Sequence, residues 1–335
     1  MTKKVLFFPL YLIFFAGGLL LVFEAIYRHQ LIDFYRPELR AFNSPADLQD
    51  HSRKTLLVMG DSFSAGSHTW TTFLRPKLPS YRIISAALPG TGIFESLCEA
   101  PRRFRDFKPQ VFIYQIFVGN DLQDIRRPLN WQTMSPARYA YCYLCSYLGL
   151  RSLTFANYRL AQLLHHPNPR EKNQYQKFSV ATYSPVSVRI YYQAEPDNLE
   201  ETVMARGDRG RDLETLIAVA NKLFGYCDRG CKKYVVVIPD SSQVSDFYLN
   251  NMLKLGARFT SVQDLHRNDY PFITRLQQGL ADKGIMVLNP LPMLKANEEQ
   301  GRRMYYANDP HLNKTGQSLL GEYIWERLQA DGLAR

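Results

Sequence analysis

The sequence predicts an α/β protein, a parallel sheet of five strands covered by helices on both faces and preceded by one membrane-spanning helix. Three observations carry this. Five short apolar runs alternate with helical patterns, the signature of strands buried on both sides. Small-residue and polar loops follow those runs, where the carboxyl ends of parallel strands collect reactive groups. The chain also begins with a long apolar stretch.

The elements follow in order. After Lys3 and Lys4, residues 5–27 read VLFFPLYLIFFAGGLLLVFEAIY with Glu24 as the one charge. That length crosses a hydrocarbon core of about 30 Å, and it is apolar on every face. It is too long for a signal-peptide core and no A-x-A site follows, so residues 1–27 are read as an uncleaved anchor. Residues 28–53 are polar and mixed, a linker, and 54–335 form the body. TLLVMG (55–60) is the first strand and 67–78 a helix. YRIISAA (81–87) is the second strand, followed by a helix over 93–107, and VFIYQIF (111–117) is the third strand. YVVVIP (234–239) is the fourth, behind a helical pattern over 212–226. GIMVLNP (284–290) is the fifth, behind a helix over 271–283, and a helix over 315–328 closes the chain. Such alternation is the pattern of a doubly covered parallel sheet.

The alternation stops between about 128 and 211, a stretch dense in tyrosine (139, 141, 143, 147, 158, 175, 183, 191 and 192) with loop signals at HHPNPREKN. It is read as an insertion. One role is a wall beside the active site, since tyrosine stacks on sugar rings and hydrogen-bonds hydroxyls; the other is packing alone.

The 335 residues carry a formal charge of +10. The basic residues fall in short scattered clusters such as Arg102-Arg103 and Arg302-Arg303, without the density or the motifs of a nucleic-acid binder. Anionic headgroups or an anionic glycan account for the excess equally well. Lys3 and Lys4 before the span are offset by Arg28, Arg36 and Arg40 behind it, so charge does not orient the helix. The five cysteines include Cys142 and Cys145 in an apolar run, read as buried thiols, and Cys227 and Cys231, for which a local disulfide is expected in an oxidising compartment.

Four loops carry chemistry. Gly60-Asp61-Ser62 follows strand one, presenting a hydroxyl at a strand-to-helix turn. Pro89-Gly90-Thr91-Gly92 follows strand two, where glycine lets an N–H approach a ligand. Val118-Gly119-Asn120-Asp121 follows strand three, and the Asn120 amide is a candidate oxyanion donor with the N–H groups of Ser62 and Gly90. Asn308-Asp309-Pro310-His311 lies between strand five and the last helix, placing an imidazole and a carboxylate on one loop. There Asp309 can fix the tautomer while His311 takes the serine proton. Each motif alone is ordinary turn chemistry, and their order behind successive strands is what gives them weight. Asp264-Leu265-His266 repeats the Asp-x-His spacing but precedes the helix leading to strand five, the wrong side of the sheet for the site.

These four segments resemble the blocks of the SGNH (GDSL) hydrolase superfamily, over roughly 54–125 and 212–332. Gly60-Asp61-Ser62 is similar to its first block, Gly90 to its oxyanion glycine, Asn120 to its oxyanion asparagine and His311 to its last. The resemblance implies a flavodoxin-like three-layer sandwich and ester chemistry without cofactor or metal. Two departures stand. Val118 occupies the place of the usual glycine two before the asparagine, and Asn308 that of the usual aspartate three before the histidine. Asp309, two before, looks like the spacing of alginate O-acetyltransferase-type SGNH domains.

The expectation is a single-pass bacterial inner-membrane protein with a periplasmic body, an esterase acting on O-acyl groups, O-acetyl above all, of an envelope glycan or lipid. Its catalytic residues are Ser62, Asp309 and His311, and its oxyanion hole Ser62, Gly90 and Asn120. The alternatives are an O-acyltransferase using the same triad and a non-catalytic subunit that keeps the fold among envelope polysaccharide proteins. Nucleic acid is not an expected partner.

Overall fold

A computed structural model of the chain describes residues 3–164 and 177–333, with side chains from residue 11 onward. The loop signal at 165–173 and Tyr175 lie outside the described residues.

Five strands form one sheet: β1 Lys54–Met59, β2 Tyr81–Ser85, β3 Val111–Phe117, β4 Lys232–Ile238 and β5 Ile285–Leu288. All neighbours run parallel in the order β2-β1-β3-β4-β5, with Val58 opposite Ser85, Leu56 opposite Val111 and Phe117 opposite Ile238. This is the doubly wound, flavodoxin-like order expected above, and its switch point lies where the chain leaves β1 between β2 and β3. Every residue of β3 is buried, so the central strand is covered on both faces. Helices Ile93–Phe107, Gly207–Phe224 and Pro271–Ala281 pack together, while Trp70–Leu74 packs on Lys314–Ala330.

The element boundaries differ from expectation where local chemistry intervenes. The helix expected over 67–78 spans only Trp70–Leu74 before a 3-10 turn at Arg75–Lys77, because Pro76 supplies no amide proton. The crossover helix into β4 begins at Gly207, five residues before the apolar pattern starts. Helices Asp246–Leu255 and Leu291–Glu299 follow β4 and β5 and were not expected. The insertion contains helices Pro136–Cys142, Ser152–Leu163 and Asn198–Val203.

The first helix, Lys3–Arg28, is long and apolar enough to cross a membrane, about 39 Å at 1.5 Å per residue. From Tyr11 to Val22 its side chains are largely exposed, and its last turns are not. Glu24 is buried and accepts hydrogen bonds from the Arg151 and Ser152 N–H groups at 3.0 and 2.8 Å, so the one charge of the apolar run caps the helix Ser152–Leu163. Tyr27 is fully buried, with its hydroxyl 3.0 Å from that of Tyr35, in a cluster that includes Leu88.

Residues 28–53 are not a free linker. They hold helices Arg36–Phe42 and Pro45–Gln49 and are tied to the body. The Asn43 amide bridges Ser85, accepting from its N–H and donating to its carbonyl, both at 2.8 Å. Asp33 pairs with the buried Arg103 at 2.6 Å. Composition read this stretch as a linker because its polar residues are engaged through partners distant in sequence.

Candidate active site

The loop after β1 makes its turn at Gly60, whose φ is +153°. A Cβ there would lie 2.7 Å from Gln115 Oε1. That fully buried glutamine sits in the middle of β3, and its Oε1 accepts from the Asp61 N–H at 3.2 Å and the Ser64 hydroxyl at 3.1 Å. The Trp70 indole N–H donates to Ser64 Oγ at 3.0 Å. The loop bearing Ser62 is thus fixed from beneath by one side chain of the central strand. Sequence reasoning missed Gln115; the signal was a polar residue inside VFIYQIF, where a buried acceptor calls for the donors that Asp61 and Ser64 supply.

Ser62, half-buried, places its Oγ 2.7 Å from His311 Nε2. On the other edge of that ring, Nδ1 is in hydrogen-bond contact with Asp309 Oδ1, which also accepts from the His311 backbone N–H at 2.9 Å. The loop bearing both is pinched by antiparallel pairing of Tyr305 with Leu312 and ends at Asn313, whose side chain caps the last helix. Phe63 lies against the His311 ring, centroids 4.7 Å apart. Asn308 does something else: its amide accepts from the Ser179 N–H and the Thr182 hydroxyl and donates to the Lys177 carbonyl, tying the insertion to the loop.

The three expected oxyanion groups border one cavity of about 450 Å³, together with Ser62, Asp309 and His311. Neither the Ser62 nor the Gly90 N–H hydrogen-bonds to another described residue. Gly90 has a φ of +70°, a conformation that costs other residues energy. Asn120 precedes the helix Asp121–Ile125 and borders the cavity together with Tyr191. Val118 ends the ladder, donating to the Ile238 carbonyl at 3.0 Å, and Gly119 lies against the Phe117 ring and Asp240. From the insertion, Tyr183, Tyr191 and Tyr192 reach the cavity, as do Thr182 and Ser187. Other insertion tyrosines do not: Tyr143 and Tyr147 stack on each other in the open, and Tyr158 donates to Glu38.

Beneath the site lie two buried carboxyl groups. Asp61 accepts from the Phe63 N–H and Asp121 from the Phe117 N–H. Burial raises the pKa of Asp61, although the positive end of His311 opposes this. Asp121 is held well above the usual carboxylate range by burial and by the charges of Asp61 and Asp124. The second Asp-x-His is not a dyad: His266 Nε2 lies 3.0 Å from the Ser242 carbonyl, while Asp264 accepts from Ser261. Cys227 and Cys231 form a disulfide; Cys142 and Cys145 are buried thiols.

No protein-family model and no curated protein matches the chain. Among solved structures, TesA is similar at 15% identity over 83% of this chain and 99% of its own, with a TM-score of 0.39. A lipase/acylhydrolase from Enterococcus faecalis is similar at 11% identity over 83% and 96%, with a TM-score of 0.39. An acetyl xylan esterase, AlAXEase, is similar at 12% identity over 82% and 99%, with a TM-score of 0.40.

Proposed function

We propose that the chain is a membrane-anchored serine esterase of the SGNH type that cleaves O-acyl, chiefly O-acetyl, esters of an envelope glycan or lipid. The observation that carries this is the 2.7 Å contact of Ser62 Oγ with His311 Nε2, continued through Nδ1 to Asp309 and open to a cavity. In the proposed reaction Ser62 Oγ attacks the acyl carbon as His311 Nε2 takes its proton, and Asp309 steadies the imidazolium that results. The N–H groups of Ser62 and Gly90 and the Asn120 amide receive the oxyanion. Collapse expels the alkoxide, which takes the proton back from His311 and leaves an acyl-serine. Water activated by His311 then releases the acid.

Transfer to a hydroxyl is the second reading. It is favoured by the cavity wall from the insertion, where Tyr183, Tyr191 and Tyr192 line the space in which an acceptor would stand where water stands in hydrolysis. The helix Lys3–Arg28 supports membrane attachment, and the Cys227–Cys231 disulfide supports an oxidising, extracytoplasmic compartment.

The test is labelling of the full-length chain in detergent with a fluorophosphonate. Wild type should label and hydrolyse p-nitrophenyl acetate. Ser62→Ala should lose both, with several powers of ten in rate, and His311→Ala should lose as much, the double variant little more. A folded Ser62→Ala protein with near-native turnover would overturn the proposal.

A further inference from the structure

Beside the catalytic cavity lies a second chamber of about 200 Å³, adjoining it at Gly90, Asn120 and Tyr191, which border both. The triad makes no use of it. Its polar side chains are incompletely satisfied by the protein. Gln123 lines the chamber at 3% exposure, and neither its Nε2 nor its Oε1 has a hydrogen-bond partner among the described residues. A buried amide left unpaired keeps its desolvation cost without return, so such a group is a marker for something that binds there.

Two guanidinium groups stand in the same wall. Arg127 and Arg138 lie 5.2 and 5.1 Å from the centre of the Tyr141 ring. Arg127 is engaged, with Nη2 on Asp124 Oδ1 and Nη1 on the Tyr141 hydroxyl, each at 3.1 Å. Arg138 Nε is buried without an acceptor. Asp124 is the one carboxylate among the described lining residues and is already paired with Arg127, so the lining itself carries one cation, Arg138, beyond that pair.

We propose that this chamber is a subsite for a hydroxyl-bearing anion: it takes a carboxylate or phosphate group of the substrate whose ester lies at Ser62. The anion accepts from Arg138 Nε and Gln123 Nε2. A neighbouring hydroxyl donates to Gln123 Oε1, which a bare anion cannot do. A neutral polyol would satisfy the amide but leave the guanidinium uncompensated. The identity of the group as part of an ester substrate rests on the esterase reading, while the anion site itself does not.

The experiment uses the full-length chain in detergent and has two readouts. The first is the thermal shift produced by glucuronate, by glucose 6-phosphate and by glucose as the neutral control. The second is the ratio of kcat/KM for acetylated methyl glucuronoside, or acetylated glucose 6-phosphate, to that for acetylated methyl glucoside. Wild type should be stabilised by an anionic sugar but not by glucose, and should prefer an anionic ester at least tenfold. The better of the two anionic arms identifies carboxylate or phosphate. Arg138→Gln should bring the ratio near unity, chiefly through KM, and abolish the thermal shift, with Arg138→Lys recovering part of both. Should Arg138→Gln fail to fold, Gln123→Glu sets a like charge in the chamber and should lower the ratio as far. Ester cleavage without anionic preference in wild type, or a preference that survives these substitutions, overturns the subsite. If no ester is cleaved but the thermal shift appears and is lost with Arg138→Gln, the subsite stands and the esterase reading falls.

Discussion

Asp309→Asn separates the two candidates for orienting His311. In the native site Asp309 Oδ1 serves both the His311 N–H and the ring Nδ1. The amide has nearly the same size, so the loop should survive. What is lost is a full negative charge next to an imidazole that, in the proposed reaction, becomes positive as Ser62 attacks. A unit charge about 4 Å away contributes about 4 kcal/mol at an effective dielectric near 20, which is about a thousandfold in rate. Asn308→Ala acts differently. It removes the bonds to Ser179, Thr182 and Lys177, costing stability of about 1–3 kcal/mol and less than tenfold in turnover. The assay is kcat on p-nitrophenyl acetate with the full-length chain, alongside thermal unfolding of each variant. Equal rate losses for the two, or an Asp309→Asn enzyme within tenfold of wild type, would refute Asp309 as the group that steadies the imidazolium.

Two further expectations concern the scaffold. Gly60→Ala drives a Cβ to 2.7 Å from Gln115 Oε1; unfolding should show a loss of about 1–3 kcal/mol, and turnover should fall with it because Ser62 rides on that turn. A variant as stable and active as wild type would deny Gln115 its role. Asp121→Asn concerns pH. The native state holds this carboxyl's proton where the unfolded chain releases it, so its contribution is complete below the unfolded value and is lost as pH rises through the raised one. The amide does not titrate, so the melting temperature of the variant relative to wild type should increase with pH between 5 and 9. A constant difference would mean that the carboxyl is ionised in the fold.

Much of this was legible because the relevant physics is local. A strand buried on both faces must be almost wholly apolar, so β1, β3 and β4 announced themselves; the loops behind β1 and β3 contain Ser62 and Asn120, and the Asp309–His311 pair lies between β5 and the last helix. Where the controlling contacts are distant in sequence, the reading failed. Nothing near Asn43 points to Ser85, and nothing near Asp33 points to Arg103, so 28–53 looked like a tether. Gln115 was hidden by its apolar neighbours, and the unpaired amide of Gln123 has meaning only once the chamber around it exists. The tyrosine-rich stretch was read as one thing, whereas its rings serve three: Tyr183, Tyr191 and Tyr192 border the cavity, Tyr158 serves the base of the first helix, and Tyr143 and Tyr147 face outward.

The seating of the first helix makes it a stalk rather than a leash. A catalyst on a flexible tether sweeps a hemisphere, and its encounter with substrate is set by tether length. Here Glu24 and Tyr27 are fastened into the body, and the cluster around Tyr27 reaches Leu88, two residues before Gly90. If the apolar turns lie in a bilayer, as proposed, the cleft is held at one height and one tilt, like a blade set in its guide. Under that proposal bonds at that height would pass through it and others would not, so distance from the membrane would become a selector alongside chemistry. The same seating bears on where the chain is cut. Trimming at residue 28 to free the body would remove the cap of the helix Ser152–Leu163 and uncover the back of the Gly90 loop, disturbing the cleft at the moment it was released from the membrane.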